Sequence, residues 1–156
     1  MKAKEGILDN LGTVLTAELT AVHQYLFHAE LCRHWGYERL AEKFQQLYTE
    51  EVTHSAQLVR HMLYLGGQPD VGTLDTVKGG RSVQELFETN LAFEREDVDM
   101  LRKAIVQAVK VGDFTTRHKL EEMVVDSEEH VDYFERQLST IAQVGLAGYL
   151  AEQIKS

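Results

Sequence analysis

Apolar residues recur along the chain at steps of three and four, the period of one face of an α-helix. Leu8, Leu11, Leu15, Leu19, Val22, Leu26 and Ala29 make the first stripe and predict a helix from about Ile7 to His34. Trp35 and Gly36 break it, glycine being well suited to the position just beyond a helix end. Leu40, Phe44, Leu47, His54, Leu58 and Leu65 then predict a second helix, closed by Gly66 and Gly67. Between Gly66 and Ser82 the period vanishes into the polar stretch GGQPDVGTLDTVKGGRS. Val83, Leu86, Phe87, Leu91, Val98, Leu101, Ile105 and Ala108 predict a third helix, followed by a short break near Gly112 and Asp113. Leu120, Met123, Val124, Val131, Phe134, Leu138 and Ile141 mark a fourth, Gly145 ends it, and Leu146 to Ile154 forms a short fifth segment.

The long connection constrains the topology. A helix of about 27 residues is about 40 Å long, and about 17 extended residues reach that far, so the chain can return to the end from which it came. Four long helices, short connections within each half and one long crossover between the halves predict an all-α, ferritin-like four-helix bundle with a short fifth C-terminal helix. The single proline, Pro69, and five of the eleven glycines fall in the crossover, which leaves the helices free of breakers. At 156 residues, the chain reads as one domain over 1–156.

Charge and cysteine content narrow the function classes. Sixteen Lys and Arg against 25 Asp and Glu give a net charge of −9, so binding to nucleic acid has no global electrostatic support. One cysteine, Cys32, makes neither an intramolecular disulfide nor a CxxC metal motif. It reads as a small core or interface thiol, in keeping with a reducing, cytoplasmic home. The N-terminal stretch lacks the apolar core of a secretory signal, and polar residues interrupt every apolar run before membrane-spanning length.

Acids and histidines interrupt the stripes. Glu18 falls between Leu15 and Leu19, Glu51 and His54 continue the stripe from Leu47 to Leu58, and Glu94 falls between Leu91 and Val98. An inward carboxylate at mid-helix needs hydrogen-bonding cations or a metal to stay ionised. His130 adds the fourth helix. Carboxylate oxygens with imidazole suit iron, manganese or zinc, and di-iron bundles take one Glu from each of two helices and a Glu-x-x-His from each of the others. Glu51-Val52-Thr53-His54 has that spacing, which projects both side chains toward one point. The second half-motif departs from it: three residues before His130 stands Ser127, whose short neutral hydroxyl is no equivalent of a bridging carboxylate. Asp126, four residues before His130, is the candidate substitute ligand.

The segments ELTAVHQYLFHAELCRHWGYERL, EEVTHSAQLVRHMLYLGG and VGLAGYLAEQI resemble bacterioferritin, and the resemblance runs over essentially the whole chain. It implies a hollow shell of 24 subunits that oxidises Fe(II) at an intra-subunit di-iron ferroxidase centre and stores a ferric mineral. By position, Glu18 and Glu94 match the family's terminal carboxylates, Glu51 a bridging carboxylate, His54 and His130 the histidines, and Tyr25 the tyrosine beside the centre, a one-electron donor. Two departures stand out. Val52 occupies the place of the methionine that ligates haem across a two-fold interface, so haem is not expected in a homo-oligomer. Ser127 occupies the place of the second bridging glutamate. The chain thus resembles one subunit type of the two-subunit bacterioferritins, and two functions follow: a ferroxidase-type storage subunit impaired by Ser127, or a largely structural, catalytically defective partner of a haem-binding subunit in a mixed shell.

Plainer roles stay open for single residues. His130 without its partner glutamate has the alternative reading of a hydrogen-bonded core histidine, and Tyr25 that of a packed core tyrosine. His23, His28, His34, His61 and His118 have no matched carboxylate and read as surface or interface residues. A rubrerythrin-like or manganese-catalase-like role has no cysteine-rich module to support it.

Overall fold

The computed structural model describes residues 1–155 and contains five helices among them: α1 (Ile7–His34), α2 (Glu38–Tyr64), α3 (Val83–Lys110), α4 (Phe114–Val144) and α5 (Leu146–Ala151). The first stripe predicts the limits of α1 to the residue. The helix α4 starts a turn and a half before the first apolar residue of its stripe, because Asp113 caps it, accepting hydrogen bonds from the Thr116 amide at 3.0 Å and hydroxyl at 2.6 Å. Ser82 caps α3 in the same way, through the Glu85 amide. At Gly145, between α4 and α5, φ is +85°, a backbone that a Cβ disfavours. No helix among the described residues is long and apolar enough to cross a membrane.

Two apolar clusters fill the bundle, one at each end. The first joins the later half of α1 (Tyr25, Ala29, Cys32) to the starts of α2 and α3 (Phe44, Phe87) and the later part of α4 (Phe134). The second joins the start of α1 (Leu11, Leu15) to the ends of α2 and α3 (Leu58, Leu101) and the start of α4 (Leu120, Met123). It follows that α1 and α4 run one way and α2 and α3 the other. The layer between the clusters is polar, and it holds Glu18, Glu51, His54, Glu94 and His130. Burial of apolar surface on both sides fixes the four helices and leaves the middle layer available for chemistry.

The crossover runs along α1 and is tied to it. Thr20 Oγ1 accepts from the Asp75 amide, Gln24 Oε1 accepts from the Lys78 amide, and His28 Nε2 donates to the Lys78 carbonyl at 2.7 Å. Asn90 completes the network, donating to His28 Nδ1 at 2.8 Å and accepting from Gln24. The expectation of surface or interface positions for His28 and His61 is thereby overturned: both are buried on partners within the chain, His61 against the Thr116 hydroxyl at 2.8 Å. The α1 stripe also turns. Leu26 is half-exposed, and Tyr25, His28 and Ala29 take the inward positions, because a helix apolar over much of its circumference is oriented by its neighbours.

The network holds His28 neutral, with a hydrogen on Nε2 and a lone pair on Nδ1. Burial lowers its pKa to about 4, only partly opposed by the Lys78 carbonyl. The unfolded chain takes up a proton as pH falls through about 6.5, and the folded chain does so only near 4. Stability from this residue is complete above the unfolded value and declines as pH falls between the two, by on the order of 3 kcal/mol. Thermal melts at pH 7 and 4.5 in the presence of chelator are expected to show a shallower loss in His28→Gln than in the parent; equal losses would remove His28 from the acid response.

Candidate metal centre

Glu18 of α1, Glu51 of α2 and Glu94 of α3 are each 1% exposed, and His54 and His130 are buried beside them. Two groups of donors form. Glu18, Glu51 and His54 bring one ligand atom each within 4.8 Å of one another, and so do Glu51, Glu94 and His130. Glu51 belongs to both. Its Oε2 lies 3.6 Å from His54 Nδ1 and its Oε1 lies 3.6 Å from His130 Nδ1, so one carboxylate presents an oxygen to each imidazole. Glu18 Oε2 stands 3.2 Å from His54 Nδ1, and Glu94 Oε1 stands 3.2 Å from His130 Nδ1. The halves are related approximately by a two-fold through Glu51.

The outer nitrogens follow the same symmetry. His54 Nε2 donates to Asp126 of α4 at 2.7 Å, and His130 Nε2 donates to Glu50 of α2 at 2.5 Å. Each outer acid precedes the opposite histidine by four residues. Carboxylates in this position fix the ring orientation and leave Nδ1 directed at the inner acids. Asp126 therefore does not occupy the place of the missing glutamate: its side chain is 44% exposed and engages the side of His54 turned away from Glu18 and Glu51. A cleft of about 210 Å³ between α2 and α4, lined in part by Glu50, His54 and Asp126, reaches this outer side.

With acids on both ring nitrogens, each histidine carries two N–H groups. Burial opposes the charge on His54, but Glu18, which accepts its hydrogen bond, and the neighbouring Glu51 overcome it and push the pKa to about 12. His130 is pushed to about 10, against burial, by Glu50 and Glu94. Burial, then the neighbouring Glu51, raises Glu18 well above the usual carboxylate range, and burial raises Glu51. In the metal-free protein, protons sit where cations would.

The fit to metal shows in the oxygens left over. Glu18 Oε1, both oxygens of Glu51 and Glu94 Oε2 are buried with no hydrogen-bond partner. Bare buried carboxylate oxygens are costly, and a divalent cation between them satisfies them together. Tyr25 donates its hydroxyl hydrogen to Glu94 Oε1 and packs against Phe44 and Phe134. Burial and then the Glu94 charge raise its pKa well above the ordinary phenol value, so it stays protonated.

Two acids escaped the sequence reading. Glu50 is the outer partner of His130. Asp97 of α3 is buried, accepts a hydrogen bond from Ser127 Oγ at 3.0 Å through Oδ2, and leaves Oδ1 without a partner. Its signal in the sequence is the three-residue step from Glu94. Burial pushes Asp97 well above its usual range, reinforced by Glu18 and Glu94, whereas the Ser127 hydroxyl works the other way. Val52, next to Glu51 on α2, is 41% exposed and lies on the protomer surface.

A bundle of antiparallel helical pairs joined by a long crossover, with a carboxylate and histidine layer at mid-height, defines the ferritin-like class. A family model described as a ferritin-like domain matches residues 8–144. Similarity over nearly the full length narrows the class further. The bacterioferritin of Mycobacterium leprae (strain TN) is 34% identical over 152 residues, covering 97% of this chain and 96% of that protein. The bacterioferritin of Streptomyces coelicolor is 35% identical over 155 residues, covering 99% and 93%. A bacterial ferritin of Synechocystis is 31% identical over 155 residues, covering 99% of each chain. The chain belongs to the bacterioferritin family.

Proposed function

We propose that the chain is an iron-storage subunit of a hollow ferritin-type shell of 24 subunits, oxidising Fe(II) at a two-metal centre formed by Glu18, Glu51, His54, Glu94 and His130. The observation that carries this reading is Glu51, whose oxygens face the two inner histidine nitrogens at equal distances. Iron is both substrate and cargo. Two Fe(II) each lose one electron to O2 or peroxide, and the ferric product moves to the cavity as mineral.

The protein's own residues set the geometry. Glu18 and Glu94 each hold one side, Glu51 joins the two, and Asp126 and Glu50 keep the imidazoles turned inward. Three acids of the layer bring negative charge that attracts cations and favours the higher oxidation state. Tyr25 is the one-electron donor of this reading: on losing an electron its phenol also loses a proton, and its hydrogen bond to Glu94 supplies the acceptor. A cytoplasmic location accords with the lone, reduced Cys32.

Val52 and Ser127 favour a second reading, a largely structural subunit whose shell is completed by a haem-binding relative. Val52 puts no sulfur at the surface where the family's haem methionine stands, so haem belongs to the partner subunit. Rapid mixing separates the two readings. Two Fe(II) per subunit, bound without oxygen by the pure homo-oligomer and then mixed with O2 or peroxide, are expected to give a ferric absorbance that is lost in Glu94→Ala. Bound Fe(II) that neither oxidant converts faster than it converts Fe(II) free in buffer would leave the structural role.

A further inference from the structure

Ser127 deprives α4 of a carboxylate, yet the layer still contains four buried acids, because Asp97 is packed against the serine. On α3, Asp97 lies three residues after Glu94, so the two side chains share a face on successive turns. The Ser127 hydroxyl donates to Oδ2 at 3.0 Å and aims the carboxylate, while Oδ1 is buried and has no hydrogen-bond partner. Glu18 of the first donor group and Glu94 of the second both act on the Asp97 carboxyl through their charge, and Glu18 Oε1, like Asp97 Oδ1, is buried without a hydrogen-bond partner.

We propose that Asp97 is a metal ligand of this centre, supplying from α3 the carboxylate that Ser127 does not supply from α4. The inference rests on the two-metal reading above and changes its consequence, since Ser127 then orients a ligand in place of being one. Charge supports it. Glu18, Glu51 and Glu94 with two neutral imidazoles offset three of the four positive charges of two divalent cations. Asp97 provides the fourth, and a buried site without net charge avoids the cost of an unpaired ion. A spectator Asp97 would instead be a fourth buried acid crowded against Glu18 and Glu94 with one oxygen unsatisfied.

The experiment is an anaerobic titration of the intact assembly with Co(II), followed through its ligand-field absorption, which reports stoichiometry and coordination without any oxidation. The parent is expected to bind two Co(II) per subunit. Asp97→Asn, which keeps the shape and the contact with Ser127, is expected to weaken one of them by roughly tenfold to a hundredfold and to alter the spectrum. Asp97→Ala combined with Ser127→Glu is expected to regain both. Two equally tight Co(II) with an unchanged spectrum in Asp97→Asn would overturn the role of Asp97 and leave the two-metal centre standing. A parent that binds no Co(II) in the bundle would overturn both. If Asp97→Asn does not fold, the Co(II)-loaded parent crystal decides: a cobalt about 2.2 Å from an Asp97 oxygen upholds the assignment, and one out of contact with it ends it.

Discussion

Glu51→Gln is expected to cost the centre both metal ions, whereas Glu18→Gln and Glu94→Gln each weaken one. The asymmetry follows from position. Both donor groups include Glu51, and its two oxygens are divided between them. An amide keeps the shape but offers one oxygen and no charge, so one cation loses its anionic oxygen outright and the other keeps only a neutral donor. Equilibrium dialysis against Fe(II) without oxygen measures the effect directly, with affinity for each ion expected to fall at least about a hundredfold in Glu51→Gln. The metal-free variant is expected to melt higher than the parent. Removing one of several crowded buried acids relieves repulsion, and about 2 kcal/mol of relief corresponds to roughly 4–8 °C in a chain of this size. One ion bound at parental affinity in Glu51→Gln would show that the carboxylate does not join two sites.

Much of this candidate site is legible in the sequence. Glu18, Glu51 and Glu94 interrupt apolar stripes, and their helices bury those same stripes in the two clusters on either side of the acids. The topology was legible for a similar reason, because the breakers crowd into one segment and leave the helical period clean elsewhere. Asp97 was not. In Glu94-Arg95-Glu96-Asp97 it reads as part of a solvated charged run, and nothing local reveals that α4 places a small hydroxyl opposite it. Two clues existed, the three-residue step from Glu94 and the missing carboxylate at 127, but they lie on different helices and only packing joins them. His28 escaped for another reason: its partners are backbone groups of the crossover and a side chain of α3, and no pattern of residue types encodes a carbonyl acceptor.

Metal loading is expected to stabilise the protein strongly and to release protons, both more so as pH rises. In the metal-free state His54 and His130, with pKa values pushed to about 12 and about 10, are charged at pH 7, each donating from both nitrogens. A metal at Nδ1 must displace that proton, while the Nε2 hydrogen stays with Asp126 or Glu50. The sign follows: below the raised values protons compete with the metal, so each unit of rising pH increases apparent affinity by up to about tenfold for every proton displaced. The protonated histidines stabilise the metal-free fold only below those values, which widens the gap between loaded and metal-free protein as pH climbs. With free metal at about one hundred times its Kd, each ion contributes about 2.7 kcal/mol, and two together raise the midpoint by roughly 10–20 °C for a chain of this size. Calorimetric titration with Co(II) in two buffers of different ionisation enthalpy counts the protons, and at least two should leave per pair of ions at pH 7. A heat independent of the buffer would place the cations away from His54 and His130, and a midpoint indifferent to metal and chelator would remove them from the bundle.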